Sequence, residues 1–231
     1  MTQGEIGFAI QNSMQMTFRK YNIKRPVVTV VTQVLVDKND PAFQRPTKPI
    51  GPFYSKEVAD RKRKDLNWSI VEDASRGYRR VVASPLPKDI IEMEVIQDCL
   101  ERDVVVIAVG GGGIPVIMEN GELKGIEAVI DKDRASALLA AKLGIEHFII
   151  STEVPEVYIH YKKPNQQILR DISVSEVRKH LTDGQFSEGS MKPKIEAALE
   201  FLNSGGQMVT ITDPEHIIAA LDGEAGTRIT K

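Results

Sequence analysis

The chain has 231 residues, 42% hydrophobic and 27% charged, which excludes a disordered or fibrous protein and allows a substantial core. Thirty basic residues stand against 32 acidic ones, so there is no broad positive field for nucleic acid, and no apolar run approaches the ~20 residues of a membrane-spanning helix. The start Met1-Thr2-Gln3-Gly4-Glu5 has no secretory pattern and the single Cys99 cannot close an intrachain disulfide, so a cytoplasmic protein is expected.

Thr2 and Glu5 have capping-box spacing and Ile6, Ile10 and Met14 recur on one helical face, so the chain opens on a helix. Residues 27–36 are mostly β-branched and read as one strand covered on both faces. Between Asp37 and Pro87 six prolines interrupt short elements, including a polar helix over 55–64, and the stretch at about 38–90 reads as an inserted, protruding subdomain. Its run Arg61-Lys62-Arg63-Lys64 has no interleaved aromatics and reads as a solvated helix face.

Regular alternation follows: a helix over 91–101 with Cys99 on its apolar side, strands over 104–109 and 126–130, and a helix from Arg134 capped by Asp133. Strands over 147–151 and 157–160 come next, then a helix over 174–181 with a Ser173–Glu176 capping box. Pro193 suits the first position of a helix running to Leu202, a strand covers 208–212, and Asp213-Pro214 opens the last helix. This order predicts an α/β fold, a three-layer sandwich with a mainly parallel sheet, divided into lobes 1–144 and 145–231.

Four sites could carry chemistry. Gly110 to Gly113 follow an apolar strand, where backbone N–H groups with no Cβ in the way can converge on an anion; a flexible turn is the alternative, and no P-loop or dinucleotide fingerprint accompanies the run. Asp131-Lys132-Asp133 sets a lysine between carboxylates where a strand yields to a helix, an arrangement that is either a local ion pair or a held cation facing a phosphate. Lys192 and Lys194 sit in the first turn of a helix, against the macrodipole, which a bound anion would make tolerable. Lys48 stands in a proline-stiffened loop, Pro46-Thr47-Lys48-Pro49-Ile50-Gly51-Pro52. Arg76, Arg79 and Arg80 form a further basic group that braces the subdomain, and the four histidines show no metal-ligand spacing.

Taken in order, the Lys48 loop, Gly110-Gly111-Gly112-Gly113-Ile114-Pro115-Val116, Ala128-Val129-Ile130-Asp131-Lys132-Asp133 and Gly189-Ser190-Met191-Lys192-Pro193-Lys194 resemble carbamate kinases, of the amino-acid kinase family, across the whole chain. The resemblance implies an ADP/ATP-dependent enzyme using Mg²⁺, which moves a phosphoryl group between carbamoyl phosphate and ADP and releases carbamate. Lys132 and Lys194 would stabilise that group, Asp133 would orient them, Lys48 would reach over the site, and Gly110, Gly111, Gly112 and Gly113 would line the phosphate and carbamate side. The nucleotide would lie near Thr152, Val157, Tyr158, Met191 and Lys194, and a homodimer is implied. The family's Gly-Gly-Asn and His-Gly-Asn-Gly loops do not occur here, so N-terminal strands are expected to be missing, leaving open edges beside residues 27–36 and an impaired turnover. Two other readings stay open: a catalytically inactive nucleotide-binding or partner-binding remnant, and a kinase of another acid.

Overall fold

The chain opens, as its periodicity predicts, on helix α1 (Thr2–Lys20), in a computed structural model that describes residues 2–73 and 76–231. Then come β1 (Val27–Thr29), β2 (Gln33–Val36), β3 (Lys48–Tyr54), α2 (Lys56–Leu66), β4 (Ile70–Glu72), β5 (Tyr78–Val82), β6 (Pro87–Ile90), α3 (Met93–Glu101), β7 (Val105–Ile107), β8 (Ile114–Glu119) and β9 (Glu122–Gly125). These elements form a first compact unit that ends at Lys132. Within it β1 pairs with β7 in parallel, β2 lies between β6 and β8, and β3, β5 and β4 make an antiparallel sheet capped by α2, whose N-cap is Ser55.

Residues 27–36 are not one strand. Thr32 is fully buried and its N–H donates to the Gln3 side chain at 2.6 Å, while its hydroxyl donates to the Val30 carbonyl and accepts from the Val109 N–H at 3.0 Å. Side chains thus satisfy the backbone where a ladder would have, and the chain changes partners there, from β7 to β6 and β8. Residues 126–130 form no strand either. Ile126 donates to Pro115 and Val129 to Ala83, and the ladder in this region is the β8–β9 hairpin.

The second unit runs from Asp133 to Lys231. Its elements are α4 (Lys132–Lys142), β10 (His147–Ser151), β11 (Val157–Ile159), β12 (Gln167–Leu169), β13 (Asp171–Ser173), α5 (Val174–Thr182), α6 (Met191–Asn203), β14 (Met208–Thr212), α7 (Ile217–Leu221) and β15 (Thr227–Thr230). The sequence had set the division one helix later, near residue 144. Helix α4 groups with the second unit because Ala137 and Ala140 are part of its core and Arg134 bonds Glu196 and Glu200 of α6. The helix begins at Lys132, so Asp133 lies inside its first turn and is not its cap.

Strands run β10-β14-β15-β13, with β10–β14 and β13–β15 parallel and β14–β15 antiparallel. Helix α6 lays Ile195, Ala198, Leu199, Phe201 and Leu202 into this core, with the Phe201 ring 5.4 Å from that of Phe148. Gly206 ends the turn after α6 where a Cβ would stand 2.2 Å from the Phe201 ring. The Ser173–Glu176 capping box is present at α5, and Pro193 falls two residues inside α6, which starts at Met191. Strand β15, absent from the sequence expectation, completes the sheet.

Candidate functional site

Two lysine–aspartate pairs stand on either side of Lys132 in the chain. In the first unit Lys48, the first residue of β3, places its Nζ 2.5 Å from Asp131 Oδ2; the lysine side chain is 31% exposed and the aspartate 8%. In the second unit Lys194, on α6, donates to Asp133 Oδ2 at 2.9 Å, with both side chains 9% exposed. Lys132 itself is exposed at the first position of α4. A charge this buried persists only beside an opposite charge or a strong donor, so both pairs are built into the fold.

Helix α6 explains the second pair. Met191 opens it and packs against the second unit's core, which carries Lys194 inward one turn later, while Arg134 bonds Glu196 at 2.7 Å and Glu200 at 3.0 Å and so fixes α4 alongside. Lys192, the other lysine set against the macrodipole, meets Glu188 at 2.7 Å, and that hydrogen bond raises its ammonium above the usual lysine range. Each of these two lysines therefore has a carboxylate partner.

The glycine run divides in two. Val109 has φ 47°, a left-handed conformation that a β-branched residue rarely adopts, and Gly111, Gly112 and Gly113 also have positive φ. A Cβ on Gly112 would sit 2.2 Å from the Ile130 carbonyl oxygen, and one on Gly113 2.3 Å from Val34, so these two glycines are demanded by close packing. Their N–H groups close the turn, onto the Val109 and Gly110 carbonyls. Gly111 has open space around it, and with Gly110 it borders a cavity of ≈ 130 Å³ shared with Gln3, Ile6, Ile10 and Thr29.

At the carboxyl ends of the parallel strands β10 and β14, where α/β sheets place ligands, Thr152 donates its N–H to the Thr212 carbonyl at 2.8 Å. The Tyr158 hydroxyl donates to Glu156 at 2.9 Å, and burial, then that carboxylate, pushes its pKa up to about 12. Val157 is fully buried in the core and its N–H donates to Thr227, so its side chain is a packing group. Sequence reading missed three polar groups here: Glu156, and the pair Asp213–His216, whose Oδ1 and Nδ1 lie 2.7 Å apart. The hydrogen bond to Asp213, reinforced by its charge, raises His216 above the usual imidazole range. The Asp-Pro dipeptide was the available signal, since an aspartate capping a short turn places its carboxylate within reach of the residue three further on.

In the subdomain, Arg76 and Arg79 bond Asp73 and lie over the Phe53 ring, and Arg80 pairs with Glu127 and lies 4.4 Å from the Trp68 centroid. They brace the sheet, as their sequence suggested; Ala74 and Ser75 of the same stretch lie outside the described residues. Lys62 lies over both Tyr54 and Trp68, so the basic run is not purely solvated.

Residues 55–213, more than half of the chain, match the amino acid kinase family, and the chain belongs to that family. Carbamate kinases are among its relatives. That of Thermococcus kodakarensis is 47% identical over 231 residues, which are the whole of this chain and 73% of the relative. Carbamate kinase 3 of Staphylococcus aureus is 52% identical over 99% of this chain and 74% of its own length. Among solved structures, carbamate kinase from Giardia lamblia bound to AMP-PNP has a TM-score of 0.90 at 44% identity, covering all of this chain and 73% of that one. The α/β architecture with parallel ladders is that of this family, and the chain spans about three-quarters of the length of these relatives.

Proposed function

We propose that the chain is a carbamate kinase acting as a phosphotransferase between carbamoyl phosphate and ADP, with ATP and carbamate as products. The observation that carries this reading is the tripeptide Asp131-Lys132-Asp133, in which one carboxylate holds Lys48 and the other holds Lys194. Phosphoryl transfer needs little covalent chemistry from the protein; it needs positive charge fixed around the moving group and reactants held in line. An oxygen of the ADP β-phosphate attacks phosphorus, the bond from phosphorus to the carbamoyl oxygen breaks, and carbamate leaves as an anion. Lys132 and Lys194 neutralise the phosphoryl oxygens in flight, Asp133 holds Lys194 to its task, and Lys48 adds a third cation. Gly111 is the member of the glycine run with open space to face substrate, Gly110 is exposed beside it with the Gln3 side chain packed close, and Gly112 and Gly113 shape the turn.

The nucleotide is assigned to the second unit, with Thr152, Tyr158 and Met191 in contact. Mg²⁺ is proposed to arrive with it as a phosphate-bound ion. Among the described residues no group of three or more ligating side chains offers the protein's own cage, and Asp131 and Asp133 are engaged by lysines. No described helix is long and apolar enough to cross a membrane, and a homodimer in the cytoplasm is the assembly proposed.

ATP formation from carbamoyl phosphate and ADP, followed with a coupled reporter, tests the reading. ATP above the enzyme-free rate, lost on Lys194→Ala, is expected. Saturable ADP binding with no ATP formed would leave a nucleotide-binding protein in its place, and ATP made from another acyl phosphate but not from carbamoyl phosphate would shift the substrate.

A further inference from the structure

We infer that Asp131 is the positioning residue for Lys48: its carboxylate holds the ammonium group of the subdomain loop in the attitude that meets the phosphoryl oxygens. This rests on the reading of the reaction given above. Asp131 is the carboxylate of the tripeptide that the resemblance left without a role, and the structure gives it one.

The pair is prepared by backbone on both sides. Lys48 is registered opposite Val82, the last residue of β5, and the residue that follows that strand, Ala83, accepts a hydrogen bond from Val129 at 3.0 Å. Val129 is two residues before Asp131, so the chain leaving the strand that carries the lysine's ladder also fastens the aspartate's segment. On its other side the segment is pinned by the glycine run, because Ile130 is 1% exposed and its carbonyl occupies the space that a Cβ on Gly112 would need. Pro49 stiffens the lysine's own backbone.

The side chains complete the argument. Lysine has a flexible four-carbon stem, and one left unheld near a substrate samples many directions. An ammonium has three N–H donors, and the bond to Asp131 takes one, fixing the axis of the group and leaving two to face an anion. Asp131 is the more buried partner, so the carboxylate is the fixed post and Lys48 the arm attached to it. The long reach, 83 residues in sequence, ties the protruding sheet to the residue next to Lys132.

The experiment is a double-mutant cycle in the full chain with Asp131→Asn, Lys48→Ala and both together. ATP formation from carbamoyl phosphate and ADP is read alongside a thermal melt. Asp131→Asn is expected to lower kcat about ten- to a hundredfold with KM for ADP unchanged, since misplacing a group costs rate before it costs binding. The double variant is expected to match Lys48→Ala within about twofold, because an aspartate that acts through Lys48 has nothing left to do once the lysine is gone. Asp131→Glu should recover part of the loss. Losses that multiply in the double variant overturn the inference, as does a kcat for Asp131→Asn equal to the parent's.

A chain that makes no ATP would refute the proposed reaction, and a second arm then still decides the role of Asp131. The Lys48 ε-methylene NMR signal is followed as carbamoyl phosphate is added. The parent signal is expected to move, and that of Asp131→Asn to move less than half as far at saturation. A full-sized response in Asp131→Asn, or none in the parent, overturns the inference.

Discussion

Lys194 and Asp133, 2.9 Å apart and each 9% exposed, serve stability and reaction through the same contact. Removing the lysine takes an ammonium partner from a buried carboxylate, and breaking such a pair costs up to about 3–5 kcal/mol. Lys194→Ala should therefore both lower the melting temperature and reduce turnover by roughly 10²–10³, the range for loss of one donor to transition-state charge. The two effects separate in Lys194→Met with Asp133→Leu, since an apolar pair of similar volume is close to neutral for stability. That double variant should regain most of the melting temperature and none of the activity. Activity that returned with stability would show that Lys194 is structural only.

His216 gives a second prediction at the same scale. Its pKa is raised by the hydrogen bond that its ring donates to Asp213 and by that residue's charge, so NMR titration should place its midpoint above the ordinary value of about 6.5, and Asp213→Asn should bring it down. A raised folded pKa means that the contact contributes fully below the unfolded pKa and is lost as pH rises through the folded one. The partner titrates oppositely. Asp213 is lowered first by its hydrogen bond to His216, so its share is present above the usual carboxylate range and fades as pH falls through the folded value. A His216 midpoint at or below 6.5 would remove the pair.

Among the elements, the glycine run shows how one motif holds two kinds of requirement. Gly111 lies in open space with φ 65°, so Gly111→Ala meets only the left-handed penalty of ~1–2 kcal/mol. Gly112→Ala adds a Cβ 2.2 Å from the Ile130 carbonyl and must push the backbone that leads to Asp131. It should melt several degrees below Gly111→Ala, and equal melting temperatures would contradict the packing described. Elements with local causes were legible in the sequence: the capping box of α5, the polar helix over 55–64 that is α2, and the helix running to Leu202 that is α6. The strand over 27–36 was read too long because its interruption depends on Gln3 and Val109, far away in sequence. The Lys48 loop, the tripeptide and Lys194 were visible as residues, yet which carboxylate holds which lysine follows from ladder register and from α4 meeting α6, and no spacing encodes either.

For the molecule as a whole, the surface around α1 carries the main consequence. Phe8 is 68% exposed, Met16 59% and Ile6 53%, and Ile10 is exposed as well. Positions 6 and 10 share one side of the helix while position 8 lies well around it, so the apolar surface is wider than a single stripe. A helix apolar on more than one side is normally covered by other protein. Below it, β1 and β7 form a parallel ladder of only two strands among the described residues, whereas parallel sheets are ordinarily buried. With a net charge of −2, long-range repulsion does little to keep copies apart. The 231-residue chain should therefore associate through this face, with an apparent mass that rises with concentration in light scattering. Phe8→Lys combined with Met16→Lys should suppress the rise without altering the second unit, whose core lies entirely in residues 137–229. If the parent scatters as a monomer at every concentration, or the lysine variant associates as strongly, the apolar surface of α1 is not what joins the copies.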